Sequence, residues 1–280
     1  MRKNDVGECC CVCKASEFEA VVSFLSPLPN ENTFGFNGSY FRELRKCHNC
    51  HSYFNFHNID LDEIYFGQYR ESSYVDSATE SSRFHKIISL PESKSDNKKR
   101  CRYLIEKALK NLQVPSVQIL DIGSGMGVFP YEMALNGYSV DTVDPDQKNC
   151  EFIRSLNIPG NVYAGRFEDL IGCFTKKYDV ISLNKVLEHV RDFYSVIDAV
   201  KKILAVNGVI YIELPDADGA ANDSYTRQEF FLEHYFTPSR QGIKYIAENA
   251  GLEIIDFESL IEPSGKYTSR FVSKLSPCYA

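Results

Sequence analysis

The run Val117-Gln118-Ile119-Leu120-Asp121-Ile122 leads directly into Gly123-Ser124-Gly125-Met126-Gly127 and then into a helical pattern. Glycines so dense do not belong inside a strand or helix, so the segment predicts a strand, a sharp turn and a helix N-terminus. Backbone bare of side chains lets a ligand come close, and the unpaired N–H groups at the helix start favour an anionic group beside them. The alternation then repeats. Stretches 139–144, 161–164, 178–183 and 208–214 are short and β-rich, with helical runs between them. Phe193, Val196, Ile197, Val200, Ile203 and Leu204 recur at helical spacing behind an Asp192 N-cap. Another helix is expected from Thr237-Pro238 to Gly251, with Ile243, Ile246, Ala247 and Ala250 facing inward, followed by strands at 252–258 and 267–275. Strands alternating with helices of this length give an α/β class: a Rossmann-like, doubly wound, mostly parallel sheet covered on both faces, its last strand antiparallel.

A chain of 280 residues has room for this domain and a smaller companion. The division expected is 1–60 for an N-terminal module, 61–99 for a linker and substrate lid, and 100–280 for the α/β domain. Glu92–Arg100 is polar and basic, which predicts an exposed linker. Acidic residues outnumber basic ones 38 to 31, and the excess lies in residues 116–280 with 23 against 15, so a phosphate-rich nucleic-acid partner is disfavoured. No run approaches ~18 apolar residues, and Met1–Cys13 is too polar for a secretion signal, so membrane insertion is not expected and a cytoplasmic location is.

About twenty residues beyond the glycines, the second strand ends in Val143-Asp144-Pro145, where a carboxylate can accept hydrogen bonds from both hydroxyls of a ribose. The glycines run G-x-G-x-G rather than the G-x-G-x-x-G of dinucleotide sites, and Asp121 stands just before them. A carboxylate there repels a pyrophosphate but suits an ammonium and a sulfonium. Charge sign therefore favours S-adenosylmethionine over NAD, leaving an NAD-linked oxidoreductase as a lesser alternative.

In sequence order, Leu120–Gly127 (LDIGSGMG), Val143–Asp146 (VDPD), Gly165–Leu170 (GRFEDL), Tyr178–Val190 (YDVISLNKVLEHV) and Gly208–Pro215 (GVIYIELP) resemble the class I S-adenosylmethionine-dependent methyltransferases over roughly residues 100–280. The resemblance implies that Asp121, Gly123, Ser124, Gly125 and Gly127 cradle the aminoacyl end of the cofactor. It assigns the ribose to Asp144 and Pro145, the adenine border to Phe167 and Glu168, and the methionine side to Asn184 and Lys185. Many members carry an Asp where this chain has Arg166, so the adenine contact passes to Glu168. His189, whose counterpart helps fix the loop after the fourth strand, and His234, in Glu233-His234-Tyr235-Phe236, are the candidate catalytic bases. Tyr65, Tyr69 and His85 are lesser lid candidates.

Cys10-x-x-Cys13 and Cys47-x-x-Cys50 form two CxxC pairs in a chain whose other early cysteines are Cys9 and Cys11. Two such pairs can place four thiolates around Zn²⁺, with an iron–sulfur centre or unmetallated buried thiols as the alternatives, and four thiolates leave no open position, so a zinc ion would be structural. Cys9 or Cys11 for Cys10, and His48 or His51 for a thiolate, stay open as alternatives. Phe34, Phe36, Tyr40, Phe41, Tyr53, Phe54 and Phe56 are candidates for a mini-core. A zinc ribbon ahead of such a domain resembles bacterial methyltransferases of sugar, surface-glycan and natural-product modification. That resemblance implies methyl transfer to a small-molecule, sugar or glycan-linked acceptor. An inactive, interaction-only relative and an RNA methyltransferase are the competing readings.

Overall fold

A computed structural model describes residues 9–32, 38–59, 77–112, 114 and 116–277. At the N-terminus, β1 (Phe18–Phe24), β2 (Arg42–Cys47) and β3 (Tyr53–His57) form an antiparallel meander. Helices α1 (Ser77–Ile88) and α2 (Asp96–Lys107) follow. The α/β part then runs β4 (Ile119–Ile122), α3 (Val128–Leu135), β5 (Val140–Asp144), α4 (Gln147–Ser155), β6 (Val162–Ala164), α5 (Phe167–Leu170), β7 (Tyr178–Asn184), α6 (Phe193–Ile203) and β8 (Leu204–Pro215). The short α7 (Ala217–Asp223), β9 (Phe236–Thr237), α8 (Arg240–Ala250), β10 (Leu252–Ile261) and β11 (Tyr267–Leu275) complete it.

The large sheet has seven strands in the order β10-β11-β8-β7-β4-β5-β6, with β11 antiparallel to both neighbours and β4 to β8 parallel. Alternate residues of its strands feed two cores, because successive side chains leave a strand on opposite faces. Leu120, Ile122, Ile181, Leu183, Ile210 and Ile212 pack under α6 and α8. Ile119, Val180, Val209 and Tyr211 pack under α2 and α3. This is the doubly wound architecture expected, antiparallel strand included. Strand order reverses between β4 and β7, and a crevice opens beyond the strand ends there.

Local sequence explains most of the element ends. Asp192 caps α6 by accepting from Ser195 N, and Gly251 ends α8 at φ +69°. The α8 start differs from the expectation at Thr237-Pro238. Ser239 is the cap, accepting from Gly242 N at 2.9 Å, while Thr237 belongs to β9 and pairs with Tyr53 of β3. Glu92–Arg100 is likewise no linker. Ser95 caps α2, and the Arg100 guanidinium is buried against Glu213 at 2.6 Å. A charge run looks solvated in sequence until its partner, more than a hundred residues away, is known.

The N-terminal meander shares its core with the rest of the chain. β9 extends it to a four-stranded sheet, Phe54 joins the core that contains Phe193 and Phe236, and Tyr53 packs on Phe230 at 5.1 Å. The expected mini-core does not form from Tyr40, Tyr53 and Phe54, since a ribbon this small buries too little alone and spends its aromatics on the larger domain. Phe34, Phe36, Tyr65 and Tyr69 lie outside the described residues.

Candidate functional site

The crevice holds a cavity of about 720 Å³ lined by the β4 and β7 ends, the glycine turn and residues of α1 and α2. Gly123 has φ +72° and Gly125 φ +53°, both in the left-handed region where a side chain is strained. A Cβ on Gly123 would meet Val186 Cγ2 at 2.6 Å, so that glycine lets the β7 loop close on the turn. A Cβ on Gly125 would meet nothing within 4 Å and would project into open space. Gly125 therefore keeps backbone accessible to whatever fills the cavity.

The turn is tied to the second strand. Gly123 N and Ser124 N both donate to Val143 O, and Gly125 N donates to Asp144 Oδ2 at 2.7 Å. Asp144 Oδ1 accepts from Asp146 N at 2.9 Å and Asn149 Nδ2 at 3.0 Å. Burial pushes the Asp144 carboxyl up from its ordinary value, and these donors oppose that shift. At the next strand end, Asp121 Oδ1 accepts from Ser182 Oγ at 2.7 Å and Asn184 Nδ2 at 2.9 Å. Its pKa is pushed up to about 6 by complete burial, against those hydrogen bonds. Asn184 Oδ1 is buried without a hydrogen-bond partner and belongs to the cavity wall, which leaves an acceptor for an incoming donor such as an ammonium.

Of the expected cofactor residues, Asp121, Gly123, Ser124, Gly125, Asn184 and Lys185 line the cavity, together with Asp146 and Asn149. Gly127 and Asp144 stand behind that wall and shape it. Pro145 is exposed, and Phe167 is buried against Phe174 at 5.8 Å, while Glu168 pairs with Arg166 at 3.4 Å. Neither Phe167 nor Glu168 reaches the wall. Lys185, at φ +57°, reaches Thr268 Oγ1 at 2.6 Å and Glu262 at 3.6 Å.

The two candidate bases come together, although neither lines the cavity. Their rings lie 4.8 Å apart at 65°, although 45 positions separate them in the chain. His189 Nδ1 contacts Glu233 O at 3.1 Å and His234 Nδ1 contacts Glu229 O at 2.9 Å. A carbonyl only accepts, so each Nδ1 carries its proton and each Nε2 keeps its lone pair. Burial lowers both pKa values, His234's far below the ordinary range and further opposed by its neighbour, so both rings are neutral near pH 7. Burial also pushes Glu188 up to about 7. His85 is exposed on α1.

Sequence reasoning missed what holds the His234 loop. Arg42 Nη1 donates to Phe230 O at 2.6 Å, and Asn55 Nδ2 donates to Phe231 O at 2.9 Å and His234 O at 3.2 Å. Leu232 N donates to Glu31 Oε1 at 2.8 Å, and the Glu31 carboxylate pairs with fully buried Arg42 at 3.2 Å. The ribbon thus serves as a jig for the loop. No local pattern marks these residues, because polar side chains on a short ribbon ordinarily face water.

Cys10, Cys13, Cys47 and Cys50 bring their sulfurs within 4.8 Å of one another, with Cys10–Cys50 and Cys13–Cys47 each at 3.6 Å. A tetrahedron with metal–sulfur bonds of about 2.3 Å has edges of about 3.8 Å, so the donor set fits one tetrahedral ion. Lys14 and His51, each following a CxxC, take φ of 64° and 58°, which lets both turns fold back toward the sulfurs. The cluster is built with Cys10, and neither Cys9, Cys11, His48 nor His51 is part of it.

Residues 93–256 match the family model described as a methyltransferase domain. The chain belongs to the methyltransferase domain family. Among curated relatives, the ubiquinone biosynthesis O-methyltransferase of Pelagibacter ubique (strain HTCC1062) is 31% identical over 179 residues, covering 59% of this chain and 67% of that protein. That of Rickettsia akari (strain Hartford) is 31% identical over 119 residues, covering 40% and 47%. The chain spans about half the length of most curated relatives it matches. Among solved structures, a magnesium protoporphyrin IX methyltransferase from Synechocystis PCC 6803 with bound SAH superposes with TM-score 0.56 at 12% identity, over 74% of this chain and 98% of that one. An S-adenosylmethionine-dependent methyltransferase from Clostridium acetobutylicum ATCC 824 superposes with TM-score 0.53 at 17% identity, over 70% and 98%. At such identities these two methyltransferases establish a shared fold. No helix among the described residues is long and apolar enough to cross a membrane.

Proposed function

We propose that this methyltransferase-family chain transfers the methyl group of S-adenosylmethionine to a hydroxyl oxygen of a small molecule, and that Cys10, Cys13, Cys47 and Cys50 hold a structural Zn²⁺. The observation that carries the cofactor reading is the cavity wall: an accessible Gly125 backbone, the Asn184 Oδ1 acceptor and the buried Asp121 carboxylate converge where an amino-acid tail would lie. Asp121 and Asn184 would hold the ammonium, and Asp144 the ribose. The bound cofactor supplies an electrophilic methyl, and the chain's part is to align an acceptor and exclude water. The acceptor class draws on the ubiquinone biosynthesis O-methyltransferases to which the chain is similar. A sugar or glycan-linked hydroxyl has the same chemistry. In this reading the acceptor approaches the His189–His234 pair, where His234 Nε2, neutral and unprotonated, would take the hydroxyl proton.

Two results test this reading. S-adenosylhomocysteine raises the melting temperature and NADH does not; the reverse would move the chain to the oxidoreductases. Labelled methyl from S-adenosylmethionine passes to a catechol or other hydroxylated acceptor, and His234→Ala lowers kcat at least tenfold while leaving S-adenosylhomocysteine affinity intact.

The raised Asp121 value makes a pH prediction. Between the ordinary value of 3.8 and about 6 the folded chain binds more protons than the unfolded one, so stability without ligand falls as pH rises through that window. Cofactor affinity runs oppositely, because the ammonium needs the ionised carboxylate. Calorimetry is expected to show S-adenosylhomocysteine binding weaken as pH drops through about 6, with Asp121→Asn binding weakly and without that pH step. A parental step surviving in Asp121→Asn would assign it elsewhere.

A further inference from the structure

A second group of ligating atoms lies away from the cysteines. One carboxylate oxygen of Glu188 and one ring nitrogen each of His189 and His234 come within 4.8 Å of one another. The arrangement is constructed from two directions. Tyr235 N donates to Glu188 O at 2.8 Å and His189 Nδ1 donates to Glu233 O, which ties the loop after β7 to the loop before β9. The ribbon residues Arg42 and Asn55 fix the second loop from behind. Both imidazoles have their Nδ1 protons committed to carbonyls, the second-shell pattern that turns Nε2 into a metal donor. Glu188 is 1% exposed, and its Oε2 has no hydrogen-bond partner. A buried carboxylate oxygen left unpaired is costly, and an ion between the three side chains would satisfy it.

We propose that Glu188, His189 and His234 form a second metal site, which takes one divalent first-row cation such as Mn²⁺ or Fe²⁺. Two imidazoles and one carboxylate suit that class better than the thiolate cluster does. Ligand atoms around such an ion stand roughly 3 to 3.5 Å apart, so small side-chain rotations close the site. Three protein ligands leave positions open, in contrast to the closed four-cysteine cluster, and those positions can take oxygen atoms of an acceptor or water. Of the cavity-wall lysines whose charge reaches the cluster, Lys185 and Lys266, Lys185 is drawn toward Glu262, Thr268 Oγ1 and Leu214 O, and the Glu233 carboxylate adds negative charge beside His189. This inference goes beyond the methyl-transfer reading. With the ion bound, His234 serves as a ligand, the ion lowers the pKa of a coordinated hydroxyl, and the released proton goes to solvent.

The test titrates Mn²⁺ into the 280-residue chain loaded with one equivalent of Zn²⁺, since Mn²⁺ competes poorly for thiolates. Electron paramagnetic resonance is expected to count one tightly bound Mn²⁺ per chain, with nitrogen couplings from two imidazoles and the zinc content unchanged. Glu188→Gln weakens Mn²⁺ binding at least tenfold, and His234→Ala removes one set of couplings. No bound Mn²⁺ in the parent chain, or parental affinity retained in both variants, overturns the site. S-adenosylhomocysteine affinity, measured on the same samples, reports separately on the methyltransferase reading, which stands or falls independently of Mn²⁺.

Discussion

Cys47→Ser is expected to strip zinc from the chain and to lower its melting temperature by more than about 10 °C. Cys47 is fully buried, at the end of β2 and inside the core that also contains Phe54, Phe193 and Phe236. Structural zinc sites contribute an apparent 10–16 kcal/mol in isolated zinc-finger peptides, so losing one of four ligands removes several kcal/mol even if part of the affinity survives. For a domain of this size each 1 kcal/mol moves the melting temperature by about 2–4 °C. The damage should not stay in the ribbon. β3 pairs with β9, and Arg42 and Asn55 hold the backbone of residues 230–234, so the His234 loop loses its support together with the metal. Metal analysis and calorimetry check the first part. Amide exchange across residues 229–237 checks the second, with accelerated exchange expected in Cys47→Ser. Unchanged zinc content and melting would rule out the cluster as a structural centre.

Asp144→Ala is expected to weaken S-adenosylhomocysteine binding at least a hundredfold. Two hydrogen bonds from ribose hydroxyls to a carboxylate are each worth about 1.5–3 kcal/mol, and every 1.4 kcal/mol is a factor of ten. The same substitution also removes the acceptor of Gly125 N and Asp146 N, which loosens the turn that presents the Gly125 backbone. Asp144→Asn keeps one oxygen and most of the shape, so it should fall between parent and alanine variant. Titration calorimetry separates the three. Affinity within threefold of the parent in Asp144→Ala would refute the assignment of the ribose to this carboxylate.

The strand–turn–helix at 117–128 and its recurrence were legible from local rules: strand period, glycine where φ is positive, and caps at Asp192 and Gly251. Each depends on residues within one or two turns of chain, which is why pattern alone placed the sheet, the turn and the two CxxC pairs. Chain reading failed where the partner was remote. Arg100 looked solvated because Glu213 is 113 positions away, and Arg42 and Asn55 carried no local mark because the carbonyls they hold belong to residues 230–234. Phe167 looked like a site residue and is packed into the core instead. Thr237 looked like a helix start and is a strand, since pairing with Tyr53 outweighs a weak local preference.

The sequence by itself determined the α/β sheet, the glycine turn with its two following carboxylates, and the four thiolates, because strand period, backbone sterics and short-range spacing are local quantities. Only the tertiary structure decided that the ribbon shares the domain's core and that Cys10, rather than Cys9 or Cys11, joins the cysteine cluster. It alone brought Glu188, His189 and His234 to one point. Such convergence depends on which distant segments exclude water together, and burial of that kind has no signature in a single stretch of chain.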